Sequence, residues 1–167
     1  KEVPIATGRS FEVALLEGET WDYKIKQSSL RNILKTIYFN ETGKIIELKD
    51  VRKEINDKTF NILNPSDLFN NLEEQGVLFL NATLTVEKEN VDSHTKYWEY
   101  FMNELVKFVE SKNLNIKWLL WGDKAKQRIL PLIEESHAII SMHPRLAGFV
   151  NQNPFKEVGE ISWTGIK

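Results

Sequence analysis

Three short apolar runs, each followed by a polar residue or a glycine, constrain the fold of this chain more than any other feature. The runs are Val77–Leu80, Ile116–Trp121 and Ala138–Met142, and the residues that follow them are Asn81, Gly122 and His143. The first run is apolar at every position, which is typical of a strand covered on both faces. The three runs therefore predict strands of a buried sheet.

Helical patterns occupy much of the remaining chain. Four helices are predicted: one capped by Ser28 or Ser29 with Leu30, Ile33, Leu34 and Ile37 on one face; one starting at Asn64–Asp67 with Leu68, Phe69 and Leu72 behind; one capped by Asp92 or Ser93 with Tyr97, Phe101, Leu105 and Phe108 recurring; and Asp123–Glu135, interrupted by Pro131. The highly charged segment from Ile45 to Phe60 is ambiguous.

The alternation of strands with helices predicts an α/β fold, with three layers (α/β/α) around a mostly parallel central sheet. In such sheets, ligands bind outside the carboxyl ends of the strands. We therefore expect Asn81, Gly122 and His143 to face one crevice.

Composition excludes several kinds of site. The 167 residues carry a formal net charge of −2, so any site for a polyanion must be a local patch. The absence of cysteine excludes disulfides, thiolate metal sites and a cysteine nucleophile, and the three histidines lack the short spacing of a zinc site. No apolar run approaches the roughly 18 residues of a membrane span. We expect one domain over residues 1–167, soluble and cytoplasmic, with no membrane partner.

Three residues allow both a structural and a functional interpretation. Asn81 is either a turn residue or a reader of a pyrimidine edge, because its amide offers one acceptor and two donors. His143 is either a surface loop histidine or a hydrogen-bond donor to a developing oxyanion. Phe11 is either part of the core or a stacking platform for a flat base, a contact worth about 1–3 kcal/mol. The residue types alone leave these alternatives open.

The order of several segments along the chain is more specific. These segments are Ala6–Val13, Gln27–Ile33, Gln75–Val86, Ser93–His94, Trp98–Glu99, Leu119–Gly122 with Ala125 and Gln127, and the strand leading into His143–Pro144. Together they resemble the uracil-DNA glycosylase family, most specifically in the stretch Gly-Val-Leu-Phe-Leu-Asn-Ala-Thr-Leu-Thr at positions 76–85. The resemblance spans nearly the whole chain.

This resemblance implies a DNA N-glycosidase of base-excision repair that hydrolyses the bond between uracil and deoxyribose after flipping the nucleotide out of the stack. It implies that Phe11 stacks on the uracil ring, Asn81 bonds the N3–H and O4 edge, and His143 donates to O2. No metal or cofactor is implied. The implied partner is uracil-containing DNA, single or double stranded, and we expect a monomer.

Contacts to DNA phosphates are implied at Ser29, at the backbone of Gly122 and in the loop around His143–Pro144. Leu146 is the candidate for an apolar wedge that fills the vacated stack. Three basic residues after Gly122 form either a local basic patch or a solvated helix face, and they are Lys124, Lys126 and Arg128.

The chain departs from the family pattern at one motif. Gly-Gln-Asp-Pro-Tyr, whose Asp positions the attacking water, does not occur in the sequence, and counting back from Gly8 and Phe11 places it immediately before Lys1. We therefore expect a chain truncated at its N-terminus, lacking the first central strand and severely reduced in activity. Two alternatives stay open: a catalytically impaired module that binds uracil or nucleic acid, and a partner-binding domain that keeps only the scaffold.

Overall fold

The computed structural model describes residues 6–14, 20–22, 25–90 and 92–166. The chain divides into two compact units. The first unit contains the residues up to Phe79 and those from Met142 onward, and the second contains Leu80–Ser141. The single domain over residues 1–167 stays a prediction.

Six α-helices and two strands lie within the described residues. In chain order they are α1 (Ser28–Thr42), α2 (Leu48–Asn56), α3 (Pro65–Glu74), α4 (Thr95–Lys112), β1 (Trp118–Trp121), α5 (Asp123–Ile129), β2 (Ala138–Ser141) and α6 (Gly148–Gln152). Short 3₁₀ turns cover Leu130–Leu132, Glu135–His137 and Pro154–Glu157.

The helix α1 contributes much of the core of the first unit. Its predicted apolar face is buried, and consists of Leu30, Ile33, Leu34 and Ile37. The predicted cap at Ser28 or Ser29 is wrong, because the chain enters helical geometry one residue earlier. Gln27 occupies the N-cap position with extended backbone and no side-chain cap, so both serines lie in the first turn.

The two following helices add buried residues to this core. α3 begins at Pro65, whose fixed φ and missing N–H suit the first helical position. It buries the predicted residues Leu68, Phe69 and Leu72. The ambiguous segment forms α2, which buries Val51 while its charged residues remain more accessible.

The second unit is built on a parallel strand pair. β1 and β2 run in register from Trp118 opposite Ala138 to Trp121 opposite Ser141. Both lie within predicted runs, so the predicted α/β class with parallel strands is confirmed.

The core of the second unit joins α4, β1 and α5 through Val106, Leu120 and Ile129. The helix α5 ends at Ile129 and gives way to a 3₁₀ turn that contains Pro131. The predicted interruption of this helix is therefore confirmed, because a proline in the helix interior removes a backbone donor.

The predicted strand at Val77–Leu80 is wrong. A strand needs a neighbour that completes its hydrogen-bond ladder, and no ladder forms over this run within the described residues. The carbonyl of Phe79 instead accepts a 3.4 Å hydrogen bond from the backbone N–H of Ser10. Leu78 is 60% exposed, so the run is not covered on both faces.

The predicted inward face of α4 is also wrong, as is its predicted cap, since the N-cap residue is His94. Tyr97 and Phe108 are 80% and 59% exposed, whereas Met102 and Val106 are buried. Apolar residues occupy most of the circumference of this helix, so their spacing fits more than one face.

Candidate functional site

Phe11 and His143 lie side by side in the first unit. Their ring centroids are 6.0 Å apart with an interplanar angle of 63°. Phe11 has a φ of 68°, a left-handed conformation that is strained for an aromatic residue. Such strain persists only where the surrounding structure imposes it, and it clusters at functional sites. Two flat rings implicated by the sequence are therefore brought together.

Arg9 fixes the segment that carries Phe11. Its guanidinium donates through Nε to Oε1 of Glu73 on α3 at 2.7 Å and through a second nitrogen to the other carboxylate oxygen. A third donor reaches Oε1 of Glu12 at 3.0 Å. The hydrogen bonds from Arg9 outweigh burial and lower the pKa of Glu73. This fork geometry restrains the loop more firmly than a single contact would.

The four residues from His143 to Leu146 form a tight turn that sets the state of the imidazole. The N–H of Leu146 donates to the carbonyl of His143 at 2.9 Å. Inside this turn, the N–H of Arg145 donates to Nδ1 of His143 at 3.1 Å. Because a backbone N–H can only donate, Nδ1 is an acceptor, and the proton of the neutral ring is on Nε2.

The surroundings of His143 also favour this neutral form. Burial of the ring and then the positive charge of Arg145 lower the pKa of His143 below its ordinary value. A ring that is neutral near pH 7 and carries its proton on Nε2 is a hydrogen-bond donor. This is the chemistry needed beside an oxygen that gains negative charge.

Asn32 on α1 binds the same turn through its side-chain amide. Its side-chain amide donates to the carbonyl of Pro144 at 2.6 Å and has a longer 3.4 Å contact with the carbonyl of Leu146. No sequence signal singled out Asn32. A polar residue next to the buried positions Leu30 and Ile33 was the available hint.

The other predicted residues of the first unit have distinct environments. Pro144 is buried, whereas Leu146, the last residue of the turn, is 47% exposed. Ser29 is half-buried in the first turn of α1. The phosphate contacts of Ser29 and Pro144 and the wedge role of Leu146 stay predictions.

Asn81 and Gly122 belong to the second unit. Asn81 is half-buried in a segment without regular secondary structure. Gly122 precedes α5 with a φ of 97°, and its N–H donates to the carbonyl of Ser141 at 2.8 Å. A phosphate bound near the start of α5 would therefore contact the backbone N–H groups that follow Gly122 rather than the N–H of Gly122 itself.

The three basic residues after Gly122 do not behave alike. Lys124 forms a 2.7 Å ion pair with Asp92, and Lys126 is exposed. Two guanidinium nitrogens of Arg128 are buried, without a hydrogen-bond partner among the described residues. Neither the basic patch nor the solvated face describes all three.

A hydrogen-bond network follows Asn81 along the chain. The indole N–H of Trp98 donates to the hydroxyl oxygen of Thr85 at 2.8 Å, and that oxygen lies 2.8 Å from Nδ1 of His94. The N–H of Glu87 donates to the hydroxyl of Ser93 at 2.9 Å. These contacts tie the segment after Asn81 to the start of α4.

Within the parts of the chain that the structure describes, no helix has both the length and the apolar character to cross a membrane. The same residues contain no group of three or more His, Asp or Glu side chains arranged to hold a metal ion.

The chain matches no family model. It is 31% identical over 119 residues to the uracil-DNA glycosylase of Azobacteroides pseudotrichonymphae, covering 68% of this chain and 54% of that protein. It is 32% identical over 114 residues to the uracil-DNA glycosylase of Geobacillus kaustophilus, covering 65% and 50%. It is 36% identical over 132 residues to that of Pseudomonas putida F1, covering 70% and 57%.

The chain thus spans about half the length of the curated relatives it matches. The matched portions exceed 110 residues in all three cases, and all three relatives carry the same name. By these similarities, the chain belongs to the uracil-DNA glycosylase family.

Proposed function

We propose that this protein is a DNA repair glycosylase that hydrolyses the N-glycosidic bond of uracil in DNA. The observation that carries the proposal is His143, whose Nδ1 accepts the N–H of Arg145 and whose ring centroid lies 6.0 Å from that of Phe11. The names of the relatives support the same activity.

The proposed chemistry assigns one role to each residue. The bond between C1′ and uracil N1 breaks, and its electron pair leaves with the base, so negative charge develops on uracil O2. His143 donates from Nε2 to that oxygen without transferring its proton, and one preorganised donor of this kind is worth about 10²–10³-fold in rate. Phe11 stacks on the ring of the flipped base.

Asn81 supplies specificity in this proposal. Its amide oxygen accepts from uracil N3–H, and its amide nitrogen donates to O4. Cytosine inverts that pattern and would leave buried polar groups unpaired, which is a strong basis for rejection. Ser29 and the turn at Pro144 would contact phosphates, and Leu146 would fill the vacated stack.

A water molecule completes the reaction by adding its OH group to C1′ and releasing a proton. The sequence lacks the Gly-Gln-Asp-Pro-Tyr motif whose Asp positions that water in the family. The second candidate function is the alternative that the sequence leaves open, namely a module of the same fold that binds uracil-containing DNA without releasing the base.

One experiment distinguishes the two candidates. The purified chain is mixed with a single-stranded oligonucleotide containing one deoxyuridine, and a thymidine oligonucleotide serves as control. Base release is measured by alkaline cleavage, and binding is measured by fluorescence anisotropy at several salt concentrations. Base release that falls in His143→Gln and in Asn81→Ala supports the glycosylase.

The remaining outcomes are also decisive. Uracil-specific, salt-sensitive binding without base release supports the impaired module. Equal binding to both oligonucleotides, unaffected by Asn81→Ala, would overturn both candidates and leave the partner-binding scaffold.

A further inference from the structure

The turn that carries His143 contains one peptide group with a partner at each end. The peptide between Pro144 and Arg145 has its carbonyl oxygen on Pro144 and its N–H on Arg145. The carbonyl accepts the amide of Asn32 at 2.6 Å. The N–H donates to Nδ1 of His143 at 3.1 Å.

A peptide group is planar and rigid, so its two ends cannot rotate independently. Fixing the Pro144 carbonyl toward α1 therefore also fixes the direction of the Arg145 N–H. The central peptide of a four-residue turn is the group that rotates by about 180° between the two common turn types. Such a rotation would carry the Arg145 N–H away from the imidazole.

From this geometry we propose that Asn32 is a positioning residue that sets the tautomer of His143 through the Pro144–Arg145 peptide. Asn32 suits this role because it lies on a long helix, α1, which is held in place by the buried residues Leu30 and Ile33 on either side of it. Its own carbonyl accepts the hydroxyl of Thr36 at 2.7 Å, which adds a further contact on α1. The weaker contact with the Leu146 carbonyl extends the anchor to the end of the turn.

The consequence for the imidazole follows from hydrogen-bond chemistry. While the Arg145 N–H points at Nδ1, a proton on Nδ1 would place two donors face to face. The neutral ring therefore carries its proton on Nε2, where it is available to an acceptor. If the peptide rotates, this preference disappears and both neutral tautomers become populated.

The inference rests on the proposed function only for its catalytic meaning, since the tautomer itself is measured without DNA. Histidine labelled with ¹⁵N in the imidazole ring gives separate signals for protonated and unprotonated ring nitrogens. The chain has three histidines, so the spectrum is simple, and His143→Gln assigns the relevant pair.

The test compares Asn32→Asp, which keeps the side-chain shape but cannot donate, with the unaltered chain. We expect the His143 signals to move from the pure Nε2–H pattern toward the average of the two tautomers, with those of His94 and His137 unchanged. Asn40→Ala is the matched control, because it removes another amide contact of α1, the one to Asn153. We expect it to leave the His143 signals in place.

If the chain releases uracil, a second measurement connects the tautomer to the chemistry. Asn32→Asp should lower the single-turnover rate of base release by at least about twofold, the share of the Nε2–H tautomer that is lost, and by up to about a hundredfold where the released turn also displaces the ring by about 1 Å. Binding of the uracil oligonucleotide should change much less. If the proposed function fails, base release is absent in every variant while the tautomer effect remains.

The inference would be overturned if His143 kept a pure Nε2–H pattern in a folded Asn32→Asp variant, or if Asn40→Ala changed it equally. Should Asn32→Asp not fold, the unaltered chain supplies the answer through scalar coupling across the hydrogen bond between the Asn32 amide nitrogen and the Pro144 carbonyl carbon. Observed coupling supports the anchor, and its absence, with the Nε2–H pattern intact, refutes it.

Discussion

Nδ1 of His137 lies 2.6 Å from Oε1 of Glu110, and both side chains are largely removed from solvent. The same carboxylate accepts the indole N–H of Trp118 at 2.6 Å and the backbone N–H of Glu134 at 3.0 Å. A residue near the end of α4 is thus connected to β1 and to the turn that leads into β2. Glu110 therefore links these elements of the second unit through hydrogen bonds.

Removing the Glu110 carboxylate should destabilise the second unit. Glu110→Ala leaves three donors without their acceptor, and we expect a loss of about 3 kcal/mol, as for a broken buried charge network. Urea unfolding followed by circular dichroism measures the loss. Glu104→Ala, which removes an exposed pair with Lys107 on the same helix, should change stability by less than about 0.5 kcal/mol. Equal losses of stability in the two variants would contradict this role of Glu110.

The same carboxylate predicts how stability depends on pH. Burial alone would raise the pKa of Glu110, but the hydrogen bonds from Glu134, Trp118 and His137 outweigh it and hold the pKa below its ordinary value of 4.5. The stabilisation is therefore fully present above that value and is lost as the pH falls through the folded pKa. Glu110→Gln should flatten the acid limb of a stability profile measured from pH 7 to pH 3. A variant whose acid limb matched the unaltered chain would refute this assignment.

Position 165 should tolerate only glycine. Its φ is +75°, and an added Cβ would lie 2.6 Å from Cδ1 of Leu63. We expect Gly165→Ala to cost about 2–4 kcal/mol, from backbone strain together with overpacking. Gly159→Ala is the control, since its Cβ would meet nothing within 4 Å. Thermal unfolding separates the two, and similar midpoints would contradict the prediction.

Arg9 should control the order of the loop that carries Phe11. Arg9→Ala removes the fork that joins this loop to Glu73, so the amides of residues 6–14 should exchange faster with deuterium. Exchange within α1 should stay the same. Lys53→Ala removes an exposed ion pair with Asp57 and should alter neither region. Unchanged exchange of residues 6–14 in Arg9→Ala would show that other contacts hold the loop.

Sequence patterns predicted those features that local physics controls. The buried face of α1 follows from three- and four-residue spacing, and the end of α5 follows from Pro131. The parallel pair β1–β2 follows from two apolar runs separated by a helical segment. In each case the information lies within one or two neighbouring elements.

Features that depend on distant partners were not predictable. Val77–Leu80 has the composition of a strand, but a strand also requires a neighbour, and the composition of the run does not show whether one is there. The contact between Asn32 and Pro144 joins positions 112 residues apart, and an asparagine on a helix gives no sign of its target. The state of His143 depends on one backbone N–H, which every residue other than proline possesses.

The final prediction concerns the pH dependence of base release. Protonation of His143 would put a second donor on Nδ1, directly facing the N–H of Arg145. Burial and the charge of Arg145 lower the pKa of this ring, so the neutral form with Nε2–H in place should predominate at pH 6.5 and above. The midpoint of the acid limb of the single-turnover rate should therefore lie below pH 6.5, where the ring becomes protonated and the turn is disturbed. His143→Gln, which keeps a donor but cannot be protonated, should be slower and should lack this acid limb. A rate that rises as the pH falls from 7 to 5.5 would show that the imidazolium is the active form, and would refute the neutral donor.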